Sequence, residues 1–419
     1  MRRALWSAVF TAISWSFCGS AFADGVILNG VSAHTIGRGG TNIAHFDNGS
    51  VLHDNPAAMA RMPDGTTFQI GVTGLITDFQ YSDLQNDTGG QHQLYPLPEL
   101  SIVRRCGCSP WTIGIGGFVP AGFGSIYNLE GPAPFSGTQQ YKSFGSLTKL
   151  LPGVAYSVND RLSVGATLGV AITVADLEGP YTLQGPSFLR GVPTLLDLDA
   201  DGATLSWSVG LLYRVTGRTS VGLSYLSESR FEAEGTTRVV APILGQSDYD
   251  TQLDITWPRS VGLGVRHQFC SNTVLSSDVI WYNWSKAFDG FGIHLDAPSN
   301  PQFPAVFEEF PLDWRDTVSV RVGAEQDLGC GRTLRLGYVY HRVPIPTSTI
   351  TPYIPASLEH AFSIGYGWRW HCWNLNLAYM YTFGPTVSVE NSGFVGGDFD
   401  QSEHRAETHA IGVSFMRRL

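Results

Sequence analysis

Lysine is nearly missing from this chain: Lys142, Lys149 and Lys286 are the only three in 419 residues. Acidic side chains outnumber basic ones 36 to 26, for a formal charge of −10. That balance excludes a nucleic-acid backbone as partner, because such a surface needs a basic patch. Long apolar runs are also absent. Beyond the first two dozen residues nothing approaches the 18 or more apolar positions of a membrane-spanning helix. Cysteine is sparse, and Cys106, Cys108, Cys270, Cys330 and Cys372 have no histidines at zinc-site spacing. No metal and no cofactor is expected.

What is present begins with an export leader. Arg2 and Arg3 precede a mostly apolar stretch, Ala4 to Phe17, and Ala21, Phe22 and Ala23 form an A-x-A site with cleavage before Asp24. Phe17 is a poor neighbour for Cys18 as a lipoprotein anchor. Without the leader, 24 basic residues face 36 acidic ones, a formal charge of −12.

The rest combines 48 glycines with 11 Trp, 16 Tyr and 23 Phe, and its hydrophobicity alternates. Trp373, Leu375, Leu377, Tyr379 and Tyr381 stand against Asn374, Asn376 and Ala378, and Val318, Val320 and Val322 against Ser319, Arg321 and Gly323. Period-two alternation predicts strands with one apolar face. A soluble sandwich would bury that face and a barrel would turn it to lipid, so alternation alone does not decide.

Count and spacing do. Fourteen strands are predicted, over residues 66–81, 97–105, 111–119, 146–158, 161–176, 203–215, 218–234, 250–268, 272–288, 315–326, 332–343, 360–370, 373–384 and 407–417. Short and long connections alternate between them. An even count with short turns on one side and long loops on the other is the outer-membrane layout. The fold class is therefore all-β, a 14-stranded antiparallel transmembrane barrel, multi-pass in the outer membrane of a Gram-negative-type bacterium. Trp111, Trp281, Tyr282, Trp284, Trp368, Trp370, Trp373, Tyr379 and Tyr381 are read as interfacial girdles. Residues 24–64 show no strand pattern and are read as a hatch inside the lumen, giving a leader at 1–23, a hatch at 24–64 and a barrel at 65–419.

At this point the residues resemble a known family, the outer-membrane transporters of long-chain fatty acids and aromatic hydrocarbons, which include the toluene-uptake porins. The likeness runs through Gly37-Arg-Gly-Gly-Thr-Asn-Ile-Ala-His-Phe-Asp47, then Asn55-Pro56-Ala57, Trp257 to Gly264, Asp278 to Lys286, Arg321 to Glu325, Leu334 to Tyr338, Pro344 with Pro346, and His360 to Gly367. It implies a hatch motif at Gly37, Gly39, Gly40, Asp47, Asn55, Pro56 and Ala57. It also implies passive uptake of hydrophobic compounds, most of all long-chain fatty acids, by loop capture, a luminal pocket and sideways exit beside a kinked third strand. Partners are then hydrophobic small molecules and outer-membrane lipid, with the chain a monomer.

In the third strand, Gly114, Gly116, Gly117 and Pro120 suit a bulge or gap, since glycine removes side chains and proline removes a ladder donor. They equally suit small inward residues that make room for a hatch. A carboxylate-bearing cargo needs a buried cation. Arg266, Arg321 and Arg335 point inward, either to ligand or to neighbouring acids such as Glu325, while Arg259 points outward or sits at a strand end. Phe135, Tyr141, Phe144, Phe188 and Leu189 are loop candidates for capture. Asp197, Asp199 and Asp201 have the first half of a calcium loop, but Ser208 stands where its glutamate belongs; an acidic loop is the plainer reading. The mature cysteines share the short-turn rim, where Cys270–Cys330 and Cys330–Cys372 are the pairs to test. The other functions weighed are a general porin or structural barrel, and a barrel phospholipase, for which His341, His360 and His409 show no serine at a telling spacing.

Overall fold

A computed structural model describes residues 25–242, 244–269 and 272–419. The leader, with Cys18 and the cleavage site, lies outside the described residues, as does Cys270. The chain closes into one antiparallel barrel. Strands β1 (Gly65–Ser82), β2 (Leu94–Arg105), β3 (Trp111–Glu130), β4 (Thr138–Ser157), β5 (Leu162–Thr182) and β6 (Pro193–Arg214) follow in order. The next four each run in two pieces. These are β7 (Thr219–Leu226, Ser229–Ala241), β8 (Gly245–Trp257, Ser260–Gln268), β9 (Thr273–Tyr282, Gly290–Asp296) and β10 (Val306–Pro311, Thr317–Gly329). The ring ends with β11 (Arg332–Tyr340), β12 (His360–Trp370), β13 (Trp373–Phe383) and β14 (Ser402–Arg418). The seam is β1 against β14, in register from Thr67↔Arg418 to Ser82↔Glu403.

The strand count agrees with the alternation, and so does its direction. On β12, Phe362, Ile364, Tyr366 and Trp368 are exposed while Ala361 and Ser363 are buried, the inside-out pattern of a wall facing lipid. The strands are longer than predicted on the long-loop side. Stretches 177–202 and 235–249, read as loops, are mostly strand: β5 and β6 pair up to Thr182↔Pro193, and β7 and β8 up to Ala241↔Gly245.

The calcium loop is thereby corrected. Asp197, Asp199 and Asp201 alternate on the outer face of β6 while Leu196, Leu198 and Ala200 are buried, so the three carboxylates lie about 7 Å apart along an extended strand. They do not converge on a cation. Above the lipid band the alternation inverts, with apolar residues inside and carboxylates in water, and a reader expecting lipid-facing strands mistakes it for loop.

Two further readings change. Trp284 does not belong to a girdle. The chain leaves the wall after β9's first piece, and helix α3 (Trp284–Ala287) buries that ring against Phe288 and Trp314, with centroids 4.8 Å away in both cases; Tyr282 is buried too. Among the cysteines, Cys106 bonds Cys108 across the β2–β3 turn, with Cα atoms 5.4 Å apart, while Cys330 and Cys372 are free and exposed. Of the pairs to test, Cys330–Cys372 is not bridged: the two free thiols sit on separate hairpin tips, after β10 and after β12.

Candidate functional site

Residues 25–64 form short helical turns held by side chains of the strands. Ser32 caps helix α1 (Ala33–Ile36) with a full capping box, and helix α2 (Val51–Asp54) leads to a 3₁₀ turn, Pro56–Arg61, capped by the Asn55 side chain, which accepts from the Ala57 amide. All of these turns precede β1, and among the described residues no helix is long and apolar enough to cross a membrane. Asn55 also donates through Nδ2 to the carbonyls of Ile43 at 2.7 Å and Leu211 at 3.0 Å, and the Ala57 carbonyl accepts from Ser163 Oγ at 3.0 Å. The Asn-Pro-Ala triplet therefore both starts a turn and ties it to β5 and β6. Gly39 and Gly40 have positive φ of 67° and 73°, and a Cβ on Gly37 would stand 2.8 Å from the Gly365 Cα. Larger residues are excluded there by backbone shape and by contact with β12.

The centre of this segment is charged and buried. Arg38 is fully enclosed; its Nη1 donates to Asp47 Oδ2 at 3.0 Å and to Glu325 Oε1 at 2.7 Å, and its Nε to the Thr41 carbonyl at 2.7 Å. Arg335 holds the other oxygen of Glu325 at 2.9 Å. Burial alone would lower the Arg38 pKa, but the carboxylates of Asp47 and Glu325 outweigh it and raise it. Burial pushes the Asp47 pKa up, and Arg38 with His34 holds it well below the usual carboxylate range. Burial and Arg38 push His45 down to about 4. Donor atoms of His34, Asp47 and Glu325 lie within 4.8 Å of one another, as a metal site requires. Arg38 Nη1, however, already sits among them, 3.3 Å from His34 Nε2, so the arrangement is an ion-pair knot with its cation built in. A second tie is Asp278 of β9, whose Oδ2 accepts from the amides of Asn42 at 2.7 Å and Ile43 at 3.1 Å.

Between this segment and the strands lies a cavity of about 430 Å³, bounded by Val26 to Val31, Thr73 and Leu75 of β1, Tyr95 to Pro98 of β2, Val119 to Gly124 of β3 and Phe144 to Thr148 of β4. No lysine or arginine lines it. Across residues 27–31 is a smaller pocket of about 60 Å³ that contains Lys149, with Trp257, Leu147, Ile280, Asp278 and Arg321. Lys149 is 6% exposed, and among the described residues its ammonium has no hydrogen-bond or ion-pair partner. An unpaired charge at that depth is costly.

The cavity abuts a break in the wall. Pairing of β2 with β3 stops at Leu100↔Gly117, although β2 stays paired with β1 as far as Leu94. Just beyond, β3 slips register against β4 between Phe118 and Ala121, and Val26 and Leu28 bond to the backbone of Gly122 and Pro120 instead. Gly114 and Gly116 face inward onto Met59 and Leu52, whereas nothing lies within 4 Å of a Cβ built on Gly117. Both readings of the glycines thus have a place in the geometry. Pro96 and Pro98, unnoticed in the sequence, lie opposite this slip and lack amide donors.

The remaining candidates scatter. Arg335 and Arg321 are buried, the first on Glu325 and the second with its Nη2 donating to Tyr282 Oη at 3.1 Å. Arg266 lies 5.4 Å over the Phe46 ring. Arg259 donates to Asn283 at 2.9 Å. Phe144 borders the large cavity, and Tyr141 packs on Tyr353 at 5.4 Å. Phe135 lies in the β3–β4 turn, Phe188 is largely exposed and Leu189 packs on the buried aromatic cluster. Lys149 escaped the sequence reading. Its only signal was a rare lysine flanked on the same strand face by Leu147 and Leu151.

Residues 14–418 match the family described as outer membrane protein transport protein (OMPP1/FadL/TodX). Among solved structures, the chain is similar to a Pseudomonas aeruginosa FadL homologue, at 18% identity over 94% of this chain and 99% of that one, with a TM-score of 0.77. The Pseudomonas putida toluene transporter TodX is similar at 21% identity over 96% and 100%, with a TM-score of 0.76. The Ralstonia pickettii toluene transporter TbuX follows at 18% over 94% and 99%, with 0.74. At such identities the likeness establishes the fold. No curated protein matches the sequence.

Proposed function

We propose, since this chain belongs to the outer membrane transport protein family of OMPP1, FadL and TodX, that it admits long-chain fatty acids passively through the outer membrane. Membership sets it in the outer membrane as a multi-pass barrel for hydrophobic compounds, and sets aside the phospholipase reading. On this proposal residues 1–23 are a cleaved leader, residues 24–64 a hatch filling the lumen of a monomeric barrel, and the β2–β3 break with Gly117 and Pro120 the sideways exit. The observation that carries the cargo class is Lys149. An ammonium without a partner, beside an apolar cavity, is supplied with its missing acceptor by a carboxylate whose alkyl chain lies in the 430 Å³ space. Capture by Phe135, Phe188 and Leu189 and contacts from Arg266, Arg321 and Arg335 are secondary in this scheme.

One observation favours a second cargo. The large cavity has no cationic lining, which suits a neutral hydrocarbon, and two of the similar structures are toluene transporters. Uptake of labelled oleate and labelled toluene by cells carrying the native chain or Lys149→Met separates the two. Oleate uptake falls by about tenfold in the variant, as expected for a lost buried charge-assisted bond, while toluene uptake holds. Equal rates for oleate in the two proteins refute the carboxylate site, and absence of both uptakes in the native chain refutes the transport reading.

A further inference from the structure

We propose that the short-turn rim beneath β2 to β6 is a docking surface for anionic phospholipid, holding the lipid phosphate on a cluster of arginines. Short turns of outer-membrane barrels face the periplasm, so this rim lies at the headgroups of the periplasmic leaflet.

Charge differs between the two ends of the barrel. On the opposite, long-loop side, Asp197, Asp199 and Asp201 of β6 and Glu232 and Glu234 of β7 face outward, and the arginines on that face, Arg230 and Arg238, are paired with Glu228 and Asp248. At the rim, Arg61, Arg105, Arg161 and Arg214 gather where the 3₁₀ turn meets the ends of β2, β5 and β6, and Asp64 and Asp160 are the acids beside them. Around the remaining turns the sequence places Arg218, Arg332, Arg369, Arg417 and Arg418 against Asp327.

Most of this positive charge is not neutralised within the protein. Arg105 pairs with Asp64 Oδ1 at 2.7 Å. Arg214 donates to the backbone carbonyl of Asp160, through Nε at 3.1 Å, and not to its carboxylate. Arg61 donates to the Asn159 carbonyl, and among the described residues its buried Nε has no hydrogen-bond partner. Burial, then Arg214 and Arg105, push the Arg61 pKa below its ordinary value. The Arg161 side chain is exposed. Carbonyl oxygens accept hydrogen bonds without cancelling charge, so a net positive field remains, and the guanidinium fork matches phosphate oxygens.

Directly above, the wall turns apolar. Trp111 is 55% exposed and packs on Tyr156 at 4.7 Å, and Ile113 and Ile115 continue upward on the same outer face. Cation, then interfacial aromatic, then aliphatic surface is the order of groups along a phospholipid, read from phosphate to acyl chain. Free phosphate would use only the first of these and an acidic soluble protein would leave the last uncovered. Anionic lipid uses all three.

The full chain, purified in neutral detergent, is titrated with dioleoylphosphatidylglycerol or dioleoylphosphatidylcholine and bound lipid is counted by native mass spectrometry. Phosphatidylglycerol is expected to be retained preferentially, by about tenfold or more, and Arg161→Gln with Arg214→Gln to abolish that preference, at roughly a factor of five for each charge removed. Arg161→Gln alone, which breaks no bond seen in the structure, reduces the preference and guards against misfolding; heat-modifiable gel mobility and oleate uptake stay native. Equal retention of the two lipids, or an unchanged preference in the double variant, overturns the proposal. So does displacement of phosphatidylglycerol by millimolar inorganic phosphate, which marks a plain anion site, or by soluble polyglutamate, which marks an acidic protein surface.

Discussion

Arg38 joins the segment's internal bonding to the wall, because it bonds Asp47 within the segment and Glu325 on β10 through one nitrogen. Replacing it with methionine leaves Glu325 with one cation, Arg335, and Asp47 with none but the histidines. Breaking a buried pair in this way costs about 3 kcal/mol or more. Arg38→Met is expected to raise amide exchange across residues 25–64 while the barrel's thermal unfolding changes little; unaltered exchange there would show that the knot does not hold the segment. His45 adds a pH dependence. Its pKa is lowered from 6.5 to about 4 in the folded chain, so the stability of the segment is full above pH 6.5 and is lost as pH falls toward 4, by about 3 kcal/mol. His45→Gln should flatten that slope in exchange measured from pH 7 to pH 4, and an identical slope would exclude His45 as its source. Of these residues the sequence disclosed Asp47 and the glycines by likeness alone. Arg38 and His45 lay within the same stretch but were given no role, and His34 lay outside it, because their meaning depends on Glu325, 287 positions away from Arg38. Lys149 is the same case: a charge becomes informative only when its surroundings are seen to lack a counter-charge.

At the level of elements, legibility follows the solvent on each face. Where a strand has lipid outside and polar filling inside, as in Trp373–Phe383, the alternation gives its bounds to within a residue. Where the same strand rises above the membrane the two faces exchange character, and β6 begins ten residues before the predicted start at 203. The β2–β3 break was half legible. Gly117 and Pro120 marked the β3 side, but on the β2 side Pro96 fell in the stretch read as loop and Pro98 passed as an ordinary residue of the strand predicted over 97–105. Pro96→Val with Pro98→Val restores two amide donors, each worth about 1 kcal/mol when paired. The double variant should lengthen β2–β3 pairing beyond Gly117, seen as slower amide exchange at residues 118–124, and should slow oleate uptake. Tighter pairing with unimpaired uptake would rule out the break as the exit.

For the molecule as a whole, closure depends on the last strand. β14 pairs with β13 from Trp373↔Arg417 to Phe383↔Glu407 and with β1 over nearly its entire length, and Leu419 adds two backbone bonds to Thr66 at 2.8 and 2.9 Å. Removing residues 402–419 should therefore eliminate the heat-modifiable folded form on gels, and a folded form persisting without them would contradict the seam. Phe415 is exposed on the outer face of this strand, and Met416 to Arg418 continue the pairing to the foot of β1, where Thr67 faces Arg418.

The seam also dictates a schedule. The segment before β1 bonds to Gln69 in β1, Ser163 in β5, Asp278 in β9 and Ser363 in β12, strands distributed around the whole ring. It precedes β1 in the chain, whereas the strand that closes the ring against β1 is β14, after all the others. If residues 24–64 fill the lumen as proposed, bonds to strands this far apart are made most simply while the sheet is still an open sheath. Assembly on that proposal is a wrapping process, with the segment before β1 serving as the mandrel for the strands.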